Sequence, residues 1–181
     1  RPCTHDEIRK MVGDDLAKQL QIINHDCTNR EHLVFVGNTR TGLPVWVNKT
    51  VAHASLKILT GLIAPHPAAG YSGGRKSLLP GVAGLETLKH HHSFPIRPFE
   101  PAYGWMKDNP FHEESVRIAR KVGIDFILNV VQDSRGKFFQ AVAGDLEAAH
   151  EKGVEIGKPF WELRLPHHYD VVVATPGGYP R

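Results

Sequence analysis

Residues 61–93, GLIAPHPAAGYSGGRKSLLPGVAGLETLKHHHS, gather the side chains of this chain best suited to chemistry. Gly61, Gly70, Gly73, Gly74 and Gly81 let the backbone turn tightly or let a ligand come close to it, and Arg75 and Lys76 add positive charge. Residues 70–77 therefore read as an anion-binding turn, in which successive backbone N–H groups and two cations would hold a phosphate. Imidazoles flank the turn at His66 on one side and at His90, His91 and His92 on the other. A neutral imidazole is a good ligand for divalent transition metals, and with an ordinary pKa of about 6.5 it can accept and return a proton near neutral pH. Gly70, Lys76 and Ser77 also fall on three fixed positions of the nucleotide loop GxxxxGK[ST]. Arg75 stands where that loop needs a glycine, and no strand ending in a magnesium-binding aspartate follows, so nucleotide hydrolysis is not indicated.

A longer match is more specific. The run PHPAAGYSGGRKSLLPG, followed by His92 just before Ser93, resembles the signature of the nickel-pincer lactate racemase family, which includes related 2-hydroxyacid racemases and epimerases. Looser similarity runs the length of the chain through RP near its start, DFILNVV, AVAGD and GGYP near its end.

This resemblance implies a cytoplasmic isomerase using a nickel-pincer pyridinium mononucleotide, with hydride moving between cofactor and substrate and a planar 2-keto acid between the two enantiomers. It implies that Lys76 contacts the cofactor, to which some members join it covalently through a thioamide. By the same resemblance His92 is the nickel ligand and His66 the catalytic residue exchanging a proton with the substrate hydroxyl. Family members usually carry asparagine before the metal histidine, where this chain has His91, so His91 stays open as an alternative ligand. Gly70, Ser72, Gly73, Gly74 and Arg75 complete the expected cofactor-binding loop, with Arg75 facing the cofactor phosphate. A second catalytic histidine precedes RP in the family and substrate-binding residues follow GGYP. The chain is thus expected to be the cofactor-bearing part of a larger enzyme, inactive alone, with a small 2-hydroxyacid as substrate and cofactor-making enzymes as transient partners. The rival reading is a non-catalytic phosphate- or nucleotide-binding module that uses residues 70–77 without metal.

The rest of the chain must position these groups. Its 181 residues suit one sizeable domain or part of two, and 41% hydrophobic residues suffice for a core. A net charge of +3 is scattered rather than gathered in a stripe, which argues against nucleic acid, and no apolar run reaches membrane-spanning length. Cys3 and Cys27 form no CxxC pair, so no disulfide framework is indicated. His25, Asp26, Cys27 and His32 do not fit a closed zinc site and read as a polar loop.

The expected fold is α/β, with a mixed or mostly parallel sheet flanked by helices and a β-hairpin in the C-terminal half. Thr4 and Glu7 predict a capping box on a helix over residues 6–20. Residues 33–36 and 44–47 read as strands, and residues 56–63 as a buried parallel strand feeding the glycine turn. A helix over 110–122, a hairpin of 125–131 with 137–143, and a helix from Asp145 to about Ile156 follow. The expected division is a cofactor-binding domain over 1–163, then a linker and the first strand of a second α/β domain over 164–181, with residues 169–174 as strand and Gly177 and Gly178 after it.

Overall fold

The computed structural model describes residues 2–94 and 96–173. The predicted capping box is present: the Thr4 side chain accepts from the Glu7 N–H and the Glu7 carboxylate accepts from the Thr4 N–H, starting α1 (His5–Val12). At Gly13 the backbone turns to a φ of 85°, and a second short helix, α2 (Asp14–Gln19), resumes beyond it. One helix over 6–20 is therefore two, because glycine takes that φ without strain.

Next come β1 (Leu33–Asn38) and β2 (Pro44–Asn48), an antiparallel ribbon, and α3 (Lys49–His53), whose first N–H groups are capped by Asn48. His25 of the polar loop ties that loop to the ribbon, since its Nε2 lies 2.9 Å from the Ala83 carbonyl and its Nδ1 accepts from the Asn48 side-chain amide at 3.1 Å. Among the described residues no group of three or more His, Cys, Asp or Glu is arranged to hold a metal.

The segment around the site runs through β3 (Ile58–Ile63), the two-residue strands β4 (Pro65–His66) and β5 (Gly70–Tyr71), a 3-10 turn at Gly74–Ser77, and α4 (Leu85–His91). Residues 93–109 add no helix or strand among those described, as their proline and aromatic content predicts. Asn109 then caps α5 (Pro110–Val122), with Pro110 at the first helical position and Gly123 closing the helix at a φ of 77°. The hairpin forms as expected from β6 (Phe126–Gln132) and β7 (Phe138–Gly144). In its turn Asp133 Oδ1 accepts from the N–H groups of Arg135 and Lys137. Asp145 Oδ1 accepts from Glu147 and Ala148 N–H at the entry to α6 (Ala148–Trp161). That helix outlasts its expected end near Ile156 despite Pro159, because Phe160 packs on Phe139 and Trp161 on Tyr71. No strand forms over residues 169–173, and Gly177 and Gly178 lie outside the described residues.

The central sheet has the order β3-β6-β7, with β3 parallel to β6 and β6 antiparallel to β7. The fold is thus α/β with a mixed sheet flanked by helices. Leu59, Ile127, Leu78, Ile118 and Leu146 form one buried cluster on the helical side of the sheet, and Ile63, Val131, Val142 and Val154 continue it toward α6. One expectation needs correction: β3 is parallel, but it is an edge strand buried on one face only, with Leu59 and Ile63 inside and Ile58, Thr60 and Leu62 exposed. At the far end of α5, Arg120 makes paired hydrogen bonds to Asp145 and a further one to Glu147, which ties that helix to the entry of α6. No helix among the described residues is long and apolar enough to cross a membrane.

Candidate functional site

β3 ends at Ile63, and the next fourteen residues fold back against its free edge. Ser72 donates its hydroxyl to the Leu62 carbonyl at 2.7 Å and accepts from the Ala64 N–H at 3.0 Å, while Ser77 donates to the Thr60 carbonyl at 2.7 Å. Two serines thus satisfy carbonyls that an edge strand leaves without partners. From β6, Asn129 accepts the Gly74 N–H at 2.6 Å. Gly70 and Gly73 adopt φ of 74° and 77°, and a Cβ at Gly70 would sit 2.3 Å from the Trp105 carbonyl oxygen, so close passage of residues 102–106 requires glycine there.

Arg75 corrects the sequence expectation. Its side chain is 1% exposed and turned into the protein, where it donates to the carbonyls of Ala69 and Tyr71 at 2.9 Å each and lies 2.7 Å from His150 Nε2, which is itself 2.7 Å from the Ser72 carbonyl. Burial lowers its pKa to about 9. A guanidinium committed in this way clamps the turn from beneath and is not presented to a phosphate. The N–H groups of Ser72, Gly74 and Lys76 are likewise bonded, to Ala64 O, Asn129 Oδ1 and Gly73 O. The turn is therefore not the row of free amides that an anion nest requires.

Lys76 differs from its neighbours. Its amine makes no hydrogen bond or ion pair among the described residues, and burial followed by the charge of Arg75 lowers its pKa to about 8. Part of it is neutral, and hence nucleophilic, near physiological pH.

Phe111, fully buried in the first turn of α5, is the surface on which three histidines meet. The ring of His91 lies 3.9 Å from it, His92 5.4 Å and His66 6.2 Å between centroids. His91 is buried, with Nε2 on the Ser115 hydroxyl at 2.9 Å and Nδ1 enclosed without a partner. Burial, then the charges of His92, Lys76 and Arg75, lower its pKa to about 3. His92 is exposed and its Nδ1 lies 2.9 Å from the Leu88 carbonyl, an arrangement that needs a proton on Nδ1 and leaves the Nε2 lone pair outward. Of the two adjacent candidates, His92 is exposed with no protein partner on Nε2, whereas His91 is enclosed in the core.

His66 is half-buried. Its Nδ1 accepts the N–H groups of both Ala68 and Ala69 at 3.2 Å, which places the proton of the neutral ring on Nε2. Burial, then Lys76, Arg75 and His92, lower its pKa to about 4, so Lys76 and His92 act on it electrostatically as well. The ring presents an N–H donor, and accepting a proton would require the turn at residues 66–69 to release Nδ1. Asn109 holds that turn to α5: Nδ2 donates to the Ala68 and Trp105 carbonyls at 3.0 and 2.8 Å, and Oδ1 caps Phe111 and His112. The sequence singles out His66, Lys76 and His92 but not the residues that hold them in place. Asn109 was signalled by Asn-Pro before a helix; Phe111, Asn129 and His150 act over long range and left no local pattern.

His112 and His150 lie beneath Arg75, and burial first, then its charge, lowers them to about 4 and about 3. Both are neutral in the fold and charge in the unfolded chain below about pH 6.5. The unfolded state then binds more protons, so their contribution is complete above about pH 6.5 and is lost as pH falls toward 4. The thermal midpoint is expected to be level between pH 7 and 8 and to drop across that acidic window. A midpoint unchanged down to pH 4 would contradict it.

The family model for the lactate racemase N-terminal domain matches residues 1–101. This chain belongs to the lactate racemase family. It is 36% identical to lactate racemase from Thermoanaerobacterium thermosaccharolyticum over 182 residues, and 36% identical to that of Lactiplantibacillus plantarum over 181, in each case across 99% of this chain and 42% of the relative. The chain therefore spans less than half the length of these family members. The solved lactate racemase apoprotein from T. thermosaccharolyticum superposes with a TM-score of 0.81 at 37% identity, over 86% of this chain and 38% of that one. A Thermotoga maritima protein shares the fold, with a TM-score of 0.68 at 23% identity over 88% of this chain and 44% of that one.

Proposed function

We propose that this chain is the cofactor-bearing part of a nickel-dependent racemase or epimerase of small 2-hydroxyacids. The observation that carries the reading is the approach of His92, with Nε2 free of protein partners, and of the His66 ring to one buried ring, Phe111, with the unpartnered amine of Lys76 close enough to His66 to lower its pKa. These residues fit the cofactor expected for the family: His92 would ligate the metal through Nε2, and Lys76 would lie against the nucleotide or join it covalently. When bound, that group supplies a hydride acceptor and donor at the substrate Cα, so that a 2-keto acid separates the two enantiomers. His66 holds the substrate oxygen by donation from Nε2; to act as base its ring must carry its proton on Nδ1 instead, which requires Ala68 and Ala69 to release that nitrogen and leaves Nε2 free to take the hydroxyl proton. Arg75, Asn129, Ser72 and Ser77 keep the turn rigid, while Gly70, Gly73 and Gly74 give it its close path past Trp105, Asn129 and His150.

The non-catalytic phosphate-binding alternative needs successive free amides and an accessible guanidinium on residues 70–77, and here the N–H groups of Ser72, Gly74 and Lys76 and the Arg75 guanidinium are engaged by the protein. The division into a cofactor domain over 1–163 and the start of a second domain belongs to the same proposal, as do transient contacts with cofactor-making enzymes in the cytoplasm.

The test is to produce the full-length protein together with the cofactor-making enzymes, then measure bound nickel and follow interconversion of D- and L-lactate and other 2-hydroxyacids by chiral chromatography. Stoichiometric nickel with racemisation is expected; protein without nickel that binds inorganic phosphate at residues 70–77 would favour the alternative. In the cofactor-free protein, labelling of Lys76 by an amine-reactive reagent should reach half its maximum near pH 8, well below the ordinary lysine value of about 10.4. A labelling midpoint at the ordinary value would remove the argument for a reactive amine.

A further inference from the structure

The three-stranded sheet has two apolar faces, but α5, α6 and the 3-10 turn cover only one. On the other, Ile58 and Leu62 of β3, Phe126, Leu128 and Val130 of β6, and Phe138, Ala141 and Ala143 of β7 stand side by side. The register aligns Ile58 with Phe126, Leu62 with Val130, Val130 with Ala141 and Leu128 with Ala143. Ile58 is 51% exposed, Leu128 45% and Phe138 67%. Only Thr60 and Gln132 interrupt the face with polar groups, and no charged side chain lies on these positions.

Strands that read as apolar on both faces belong to sheets covered on both sides, whereas a sheet with one solvated face alternates apolar with polar. A contiguous apolar face of this extent marks a surface that another body buries. We propose that the uncovered face of β3-β6-β7 is the docking surface for the remainder of the full-length polypeptide, the portion that the family members carry beyond the region this chain matches. Three observations favour that occupant. The chain spans 42% of each relative, so more than half of such a polypeptide is available to cover it. The face has no lysine, arginine or tryptophan of the kind that seats a surface on lipid headgroups. The face spans all three strands of the sheet, back to back with the core on its other side, as expected of a sheet sandwiched between two layers.

The experiment places p-benzoylphenylalanine at Phe126 in the full-length protein and maps the photoproduct by mass spectrometry. Crosslinks within one chain to peptides outside residues 1–181 are expected. Products of doubled mass would assign the face to a second copy and overturn the proposal, as would crosslinks confined to residues 1–181 or none at all. As a second measurement, with Cys3 and Cys27 replaced by serine, a Leu128→Cys thiol in the full-length protein should react with maleimide at least about tenfold more slowly than a Phe99→Cys thiol. Protection that disappears on dilution, or equal rates at the two positions, would also overturn it.

Discussion

His92→Ala in the full-length, cofactor-loaded protein should abolish nickel retention and reduce racemisation to background, while His91→Ala should keep the metal in whatever fraction folds. The two neighbours differ because α4 ends between them. His91 is the last residue of the helix and points inward, its ring 3.9 Å from Phe111 and Nε2 on Ser115. His92, the capping residue, turns outward and gives Nδ1 to the Leu88 carbonyl, so the remaining nitrogen is a preoriented donor. On the proposed function, losing that nitrogen would remove the protein's own bond to the metal. Losing His91 instead opens a cavity beside Phe111 and deprives Ser115 of a partner, a destabilisation of about 2–4 kcal/mol. Metal analysis and chemical denaturation of both variants separate the roles, and a His92→Ala protein with full nickel content would refute the assignment.

Arg75→Met should be the most damaging single substitution for stability within the turn. Methionine fills much of the space but offers no donors, which strands the carbonyls of Ala69 and Tyr71 and removes the hydrogen bond to His150. Orphaning these buried acceptors opposes the relief of no longer burying a cation, and since each stranded group costs about 1–3 kcal/mol the net loss should be about 2–5 kcal/mol. Arg75→Lys, which keeps the charge but reaches fewer acceptors, should fall between. The substitution has a second readout. Because the charge of Arg75 contributes to lowering Lys76, its removal should move the labelling midpoint of that amine upward from about 8. Loosening of the turn would also raise it by exposing the amine, so Arg75→Lys is the control: it weakens the clamp but keeps the charge, and its labelling midpoint should stay below that of Arg75→Met.

What the amino-acid order disclosed was mostly what neighbouring residues decide. Thr4 with Glu7, Asn109 with Pro110 and Gly123 bounded helices, and Asp133 to Gly136 turned a hairpin, because each signal lies within one turn of its effect. The spacing from Lys76 to His66 and His92 marked the candidate site, since a run that long is seldom matched by chance. Arg75 misled for a physical reason: a cation in a glycine-rich turn usually faces solvent or a ligand, and its inward course depends on His150, seventy-five residues away. The same holds for Asn129, which looks like an ordinary strand residue until Gly74 arrives above it. The sequence of β3 indicated a parallel strand buried on both faces; the strand is parallel, but in this structure only one of its faces is covered.

The hydroxyls of Ser72 and Ser77 have a consequence for how this sheet can grow. By occupying the outward carbonyls of Thr60 and Leu62, they seal the β3 margin against recruitment of any further strand. Any lengthening of the sheet by an incoming segment must therefore begin alongside β7, on the side remote from Lys76. The same two side chains hold the backbone on either side of Lys76 against that margin, so an invading strand would have to displace both.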